Sequence, residues 1–169
     1  MDSMKRMTVA LAAGALLVGG AATASATPAG PTVPDAIKVP AGNHPVATYP
    51  AEGVQIYGCT NGAWALIQPA AVLSRHGKPV ALHSKGPVWT SIVDGSTVGA
   101  TAAATSPRAN AIPEVLLKAT LNTGDGIFGK VTYVQRLNTR GGVAPAGACT
   151  DGAQTAVRYS ADYAFWVAG

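Results

Sequence analysis

Short turn-forming clusters break this chain so often that little room is left for a long helix. Thr60-Asn61-Gly62, Arg75-His76-Gly77-Lys78, Asp94-Gly95-Ser96, Thr123-Gly124-Asp125-Gly126 and Arg140-Gly141-Gly142 punctuate the region after residue 40. Turn spacing of roughly eight to twelve residues is the mark of a β-sandwich or barrel. The stretches between the turns carry strand signals. Val54-Gln55-Ile56-Tyr57-Gly58-Cys59 alternates apolar with polar or aromatic residues, as a strand with one buried face should. Asn61-Gly62 accepts the positive φ angles of a tight hairpin, and Trp64-Ala65-Leu66-Ile67-Gln68 resumes as the return strand. Further strands are expected at 79–83, 88–93, 97–100, 115–121, 129–137 and 156–167, the last two being richest in β-branched and aromatic residues. Helix is hard to place. Residues 69–74 admit a single turn, 112–118 reads as strand or short helix, and the Ala-rich 101–113 reads as loop because Pro107 and Pro113 interrupt it. The expected fold is all-β: one antiparallel β-sandwich or barrel-like domain with few or no helices.

The N-terminus has the three parts of a secretory signal peptide. Lys5 and Arg6 form the basic start, an uncharged apolar run follows over 7–22, and Ala24 and Ala26 supply the small side chains of a cleavage site. The run is short for a bilayer span and contains Gly14, Gly19 and Gly20, so cleavage after Ala26 is expected in place of an anchor. The domains are therefore read as signal peptide 1–26, a Pro-rich lead-in 27–40, and a β domain 41–169. Within the lead-in, Val33, Ile37 and Val39 could dock an otherwise weakly ordered segment.

The whole chain holds 12 Lys+Arg and 8 Asp+Glu, a net charge of +4. The basic residues are scattered, so neither a nucleic-acid stripe nor a polybasic membrane patch is expected. No second apolar segment is long enough to span a membrane once the signal is removed. Cys59 and Cys149 are the only cysteines, and an even pair in an exported chain predicts a disulfide. Closing so long a loop is worth about 4–5 kcal/mol in the chain-entropy model.

Candidate chemistry is sparse. His44, His76 and His83 have no ligand-type spacing, and no metal or cofactor is expected. His76 lies in a polar turn, whereas His83 closes a strand and is the one histidine with functional promise. Gly86-Pro87-Val88-Trp89 followed by Asp94-Gly95-Ser96 is the densest stretch, containing an aromatic plate and a turn. His83, Asp94 and Ser96 are the residue types of a hydrolytic triad, but the elbow that exposes a nucleophilic serine is missing. Trp64, Trp89, Trp166, Tyr57 and Tyr133 are candidates for a sugar-stacking platform or simply core fillers. Arg136 and Arg140 flank a polar loop and could hold a carboxylate or phosphate. The tentative ligand-binding set is His83, Trp89, Asp94 and Arg136.

Several motifs together resemble the secreted domain-of-unknown-function family DUF3455 of bacteria and fungi. They are Gly53-Val54-Gln55-Ile56-Tyr57-Gly58-Cys59, Gly86-Pro87-Val88-Trp89 with Asp94-Gly95-Ser96, the run from Val131 to Gly142 leading to Cys149, and Tyr159-Ser160-Ala161-Asp162-Tyr163. The family often has an aromatic after the position of His83, where this chain has Ser84. The resemblance implies an extracytoplasmic β domain and brings no activity. Some members carry a malate dehydrogenase label, but no dinucleotide-binding glycine motif is present here. The expected function is an exported, non-catalytic domain that binds an envelope polysaccharide or another extracellular ligand. The alternatives are a small secreted hydrolase using His83 and Asp94, and a cell-surface interaction protein.

Overall fold

From Asn43 onward the chain is a succession of antiparallel strands: β1 (Asn43–Thr60), β2 (Ala63–Arg75), β3 (Lys78–Ser84), β4 (Val88–Ser91), β5 (Thr97–Ser106), β6 (Glu114–Thr123), β7 (Val131–Gly141) and β8 (Gln154–Ala168). Each pairs with its sequence neighbours and β8 closes on β1, giving an up-and-down barrel. Closure removes the free sheet edges that an open sandwich would have to protect. The computed structural model describes residues 33–169, so the expected signal peptide and the start of the lead-in lie outside the described residues. Among the described residues no helix is long and apolar enough to cross a membrane.

The hairpin turns follow from their dipeptides. Asn61 and Gly62 have φ of 54° and 73°, and His76 and Gly77 have 50° and 74°. Two consecutive positive φ values are what a two-residue turn needs to match the twist of its strands.

Three sequence expectations are corrected. Residues 69–74 are not a helical turn but part of β2, and β5 extends through Ser106 into the expected loop. β1 begins at Asn43, well ahead of the expected strand. Prolines lie in or beside each of these segments. Pro45 and Pro50 lie in β1 before its pairing with β2 begins at Ala51, and Pro69 lies in β2 before pairing with β3 begins at Ala71. A proline is tolerated where a strand has a partner on one side only, because its missing N–H then breaks no ladder bond. In β5, pairing of 104–106 with β6 overrides the poor strand propensity of alanine.

Alternate residues fill the barrel interior: Tyr49 and Ala51 from β1, Leu73 from β2, Val98 from β5, Val134 from β7 and Phe165 from β8. Full burial of each large apolar side chain contributes roughly 1.5–3 kcal/mol. One end is plugged by Phe128 of the β6–β7 loop, whose ring lies 4.6 Å from that of Phe165.

Outside the barrel, the segment around a 3-10 turn at Asp35–Ile37 packs on the wall. Ile37 is fully buried, and its carbonyl accepts a 2.7 Å hydrogen bond from Gln135 Nε2. Gln135 Oε1 in turn accepts from Trp166 Nε1 at 2.9 Å. This anchor gives the second half of the lead-in more order than its prolines imply.

Candidate functional site

The barrel wall is uneven. β3 and β4 have 7 and 4 residues, between a 13-residue β2 and a 10-residue β5. Pairing with this short hairpin covers β2 only from Ala71 and β5 only to Gly99. Residues 63–69 of β2 and 101–106 of β5 therefore rise past the hairpin and leave a notch at the end opposite Phe128.

Below the notch is a cavity of about 280 Å³ to which every strand contributes. This approaches the lower end of ligand-pocket sizes, about 300–1,000 Å³. Leu66, Ile67 and Pro69, with Val115, Leu117 and Ala102, form its apolar sides. Lys85, Gly86 and Pro87 at the tip of the β3–β4 hairpin form part of its lip, and Gln55, His83, Trp89, Arg136 and Tyr163 supply its polar and aromatic groups.

His83 and Trp89 are cross-strand partners on the inner face of the hairpin. Their rings stack at 4.4 Å with 4° between planes, and Tyr163 and Phe165 pack edge-on to the indole. His83 is 3% exposed, and its Nδ1 lies 3.0 Å from the Val88 carbonyl. Burial pushes its pKa down to about 4, with the Arg136 charge acting in the same direction, so the ring is neutral at neutral pH. A carbonyl can only accept, so the neutral ring donates from Nδ1 and keeps Nε2 as an acceptor.

Gln55 is 1% exposed, and neither its Nε2 nor its Oε1 finds a protein partner; Trp89 Nε1 is likewise buried and unpartnered. These three atoms are the only buried side-chain polar atoms without a partner among the described residues, and both residues line this cavity. Buried polar groups are almost always paired, so two such residues in one cavity are an arrangement that needs a reason.

Arg136 stands between Val115 of β6 and Tyr163 of β8 in the sheet register. Its Nε and Nη2 donate to the Pro113 carbonyl at 3.1 and 2.9 Å. The next residue, Glu114, is buried, accepts from Asn138 N and pairs with Arg108 at 2.9 Å, which fixes the segment that holds Arg136. Burial raises the pKa of Tyr163, whose phenol stays protonated 3.2 Å from that of Tyr159.

Of the four residues singled out in the sequence, the cavity gathers His83, Trp89 and Arg136. Asp94 is elsewhere. It follows the other end of β4 and lines a separate cleft with Tyr49, Arg75 and Phe128. There its carboxylate accepts from Ser96 N at 2.9 Å, Ser96 Oγ at 2.6 Å and Ile127 N at 3.1 Å, while Ser96 Oγ accepts from Phe128 N at 3.0 Å. These bonds, led by that from the Ser96 hydroxyl, lower the Asp94 pKa to about 2. Asp94 is a bracket that seats the Phe128 plug. Gly126 has no side chain because a Cβ there would overlap that carboxylate.

The other candidates disperse. His44 and His76 are exposed, and Arg140 lines a shallow surface depression with Arg158. Trp64, Tyr133 and Trp166 are half-buried and none lines the cavity. No group of three or more His, Cys, Asp or Glu side chains suited to a metal occurs among the described residues. Cys59 and Cys149 form the disulfide, with Cα atoms 5.9 Å apart, and clamp the β7–β8 loop to the β1–β2 hairpin at the cavity end.

The sequence reading missed Gln55 and Tyr163 as site residues. A signal for Gln55 was present: in 54–59 the inward set is Gln55, Tyr57 and Cys59, and an amide on a strand's buried face stands out once that face is known.

A family model described as "Protein of unknown function (DUF3455)" matches residues 74–167, more than half the chain. The match takes in His83, Trp89, Arg136 and Tyr163 and begins after Gln55. Neither the curated proteins nor the solved structures give a match.

Proposed function

We propose, on the premise that the chain belongs to the DUF3455 family of proteins of unknown function, that this barrel binds a small, largely apolar molecule in its interior. One observation carries the reading: the unpartnered Gln55 amide and Trp89 indole border a cavity with largely apolar walls that opens to solvent. A ligand with a hydrogen-bonding end and an apolar body would satisfy those atoms and cover the walls. An extended polysaccharide is a poorer fit. Sugar stacking needs accessible aromatic faces, and Trp89 and Tyr163 are buried.

Binding is preferred to hydrolysis on chemical grounds. The cavity lining holds no serine, threonine, cysteine or carboxylate to act as nucleophile or acid, and the partner of His83 Nδ1 is a backbone carbonyl. We assign the protein to an exported compartment. The disulfide supports this, since such bonds persist where the environment is oxidising.

The test uses the exposed Ala102 at the mouth. A fragment library screened by ligand-detected NMR is expected to yield hits that bind the native chain and are lost in Ala102→Phe, with the fold retained by circular dichroism. Hits that bind both proteins equally, or none at all, would remove the proposal.

A further inference from the structure

The charge of the cavity lining is one-sided. Arg136 and Lys85 contribute to it and no carboxylate does. Arg136 belongs to the inward-facing set of β7, two residues from the fully buried Val134. The ion pairs among the described residues are Lys38 with Asp35 and Arg108 with Glu114, so Arg136 has no acidic partner. The guanidinium is half-buried beside apolar walls, and its hydrogen bonds go to a neutral carbonyl.

The geometry of those bonds leaves a specific opening. The Pro113 carbonyl occupies the Nε–Nη2 edge of the fork. The fork's remaining N–H groups meet no charge, only the neutral Tyr163 hydroxyl, and the Nη1–Nη2 edge has the two parallel N–H groups that a carboxylate accepts in bidentate fashion. The neighbouring orphan groups lean the same way: Trp89 Nε1 is a donor only, and the Gln55 Nε2 brings two further N–H groups. Donors outnumber acceptors, so the missing partner is rich in acceptor atoms. Lys85 is exposed at the lip, so within the cavity one guanidinium compensates one negative charge.

We infer that the ligand is a small organic carboxylate: a flat or compact apolar body between Leu66, Ile67, Val115 and Leu117, with its carboxylate on the free edge of Arg136. This rests on the proposed binding role of the cavity and adds the ligand's charge and chemical class. In the free protein Arg136 also ties β7 to the Pro113 segment, so the same side chain joins the ligand's head group to the rim.

The probes are 2-naphthoate and its neutral counterpart methyl 2-naphthoate, titrated into the full chain at pH 7. Calorimetry gives affinity, and the indole N–H resonance of Trp89, assigned with a Trp89→Phe variant, reports occupancy of the cavity. The expected result is at least tenfold tighter binding of the acid, with the Trp89 signal shifted. Arg136→Gln is expected to abolish the preference, Arg136→Lys to reduce it by keeping the charge without the fork, and Arg140→Gln, outside the cavity, to leave it unchanged. Should Arg136→Gln fail to fold, the acid–ester comparison on the native chain and on Arg136→Lys still decides. Equal binding of acid and ester with the Trp89 resonance shifted overturns the carboxylate assignment and leaves the binding cavity standing. No shift of the Trp89 resonance with either probe overturns the assignment together with the cavity reading.

Discussion

Replacing Gln55 by methionine should make the free protein more stable. Gln55 is 1% exposed, its two side-chain polar atoms are buried without partners, and methionine has nearly the same length and volume. Leaving a buried polar group unpaired costs about 1–3 kcal/mol. Two atoms share the penalty here, but they belong to one amide that is removed as a unit, so the penalties do not simply add. The expected gain is therefore about 1–2 kcal/mol. At the usual entropy of unfolding this raises Tm by roughly 3–8 °C for a domain of this size. Urea denaturation of both proteins without ligand checks it: the midpoint should rise with the slope unchanged, because the surface exposed on unfolding is the same. The variant should also lose affinity for any ligand found in the native cavity. A midpoint that falls by the equivalent of 1 kcal/mol or more would refute the reasoning. It would mean that the amide is already paired in the free protein, and the strongest sign of a ligand site would be gone.

Asp94→Ala should destabilise by only about 1 kcal/mol at neutral pH, because the carboxylate it removes is exposed and screened. The folded pKa of Asp94 is depressed to about 2, so its contribution is complete above the unfolded value near 4 and disappears as pH falls toward 2. Native and variant stabilities should therefore converge between about pH 4 and pH 2, and a gap that persists at pH 2 would show that Asp94 does not act through its charge. Protein recovered from the culture medium should have the mass of the chain starting at Thr27 with both thiols blocked. Replacing Cys59 and Cys149 with serine should cost about 2–5 kcal/mol in chemical denaturation, and a change under 1 kcal/mol would mean the loop closure contributes little.

The sequence was most legible where local chemistry alone decides structure. Asn61-Gly62 formed the expected hairpin turn, the β7 and β8 signals lay in the right places, and the two cysteines joined. It was least legible where pairing on only one side relaxes a local rule, as at Pro45, Pro50 and Pro69. For the site, His83, Trp89 and Arg136 stood out as unusual residues in strand contexts, and they share one cavity. Asp94 stood out for the same reason but for different work. Only six residues separate it from Pro87 in the hairpin tip, yet β4 lies between them, so they belong to opposite ends of the barrel. Residues close in sequence are carried apart when a strand, even one of four residues, runs between them. Gln55 was invisible because an alternating pattern tells that two faces differ without telling which one turns inward.

The two ends of the barrel show that the cavity is a property of the chain and not a packing residue. An eight-stranded barrel is just wide enough for its own side chains to fill it. At the Asp94 end they do: Phe128 folds in from a loop, Phe165 meets it, and Trp89 crosses the middle fully buried. A chain shaped only for stability would continue that filling upward with leucine and phenylalanine. Here Gln55, His83 and Arg136 stand among the apolar Val115 and Leu117 in the cavity lining, and the wall beside them is cut down by a four-residue β4. Each choice alone lowers stability, either by desolvating a polar group or by opening apolar wall to water. Their coincidence at one end, braced by the disulfide and by the Arg136–Pro113 bonds, is what an occupant of the kind proposed above would account for, and a native chain that bound nothing there would leave it without that cause.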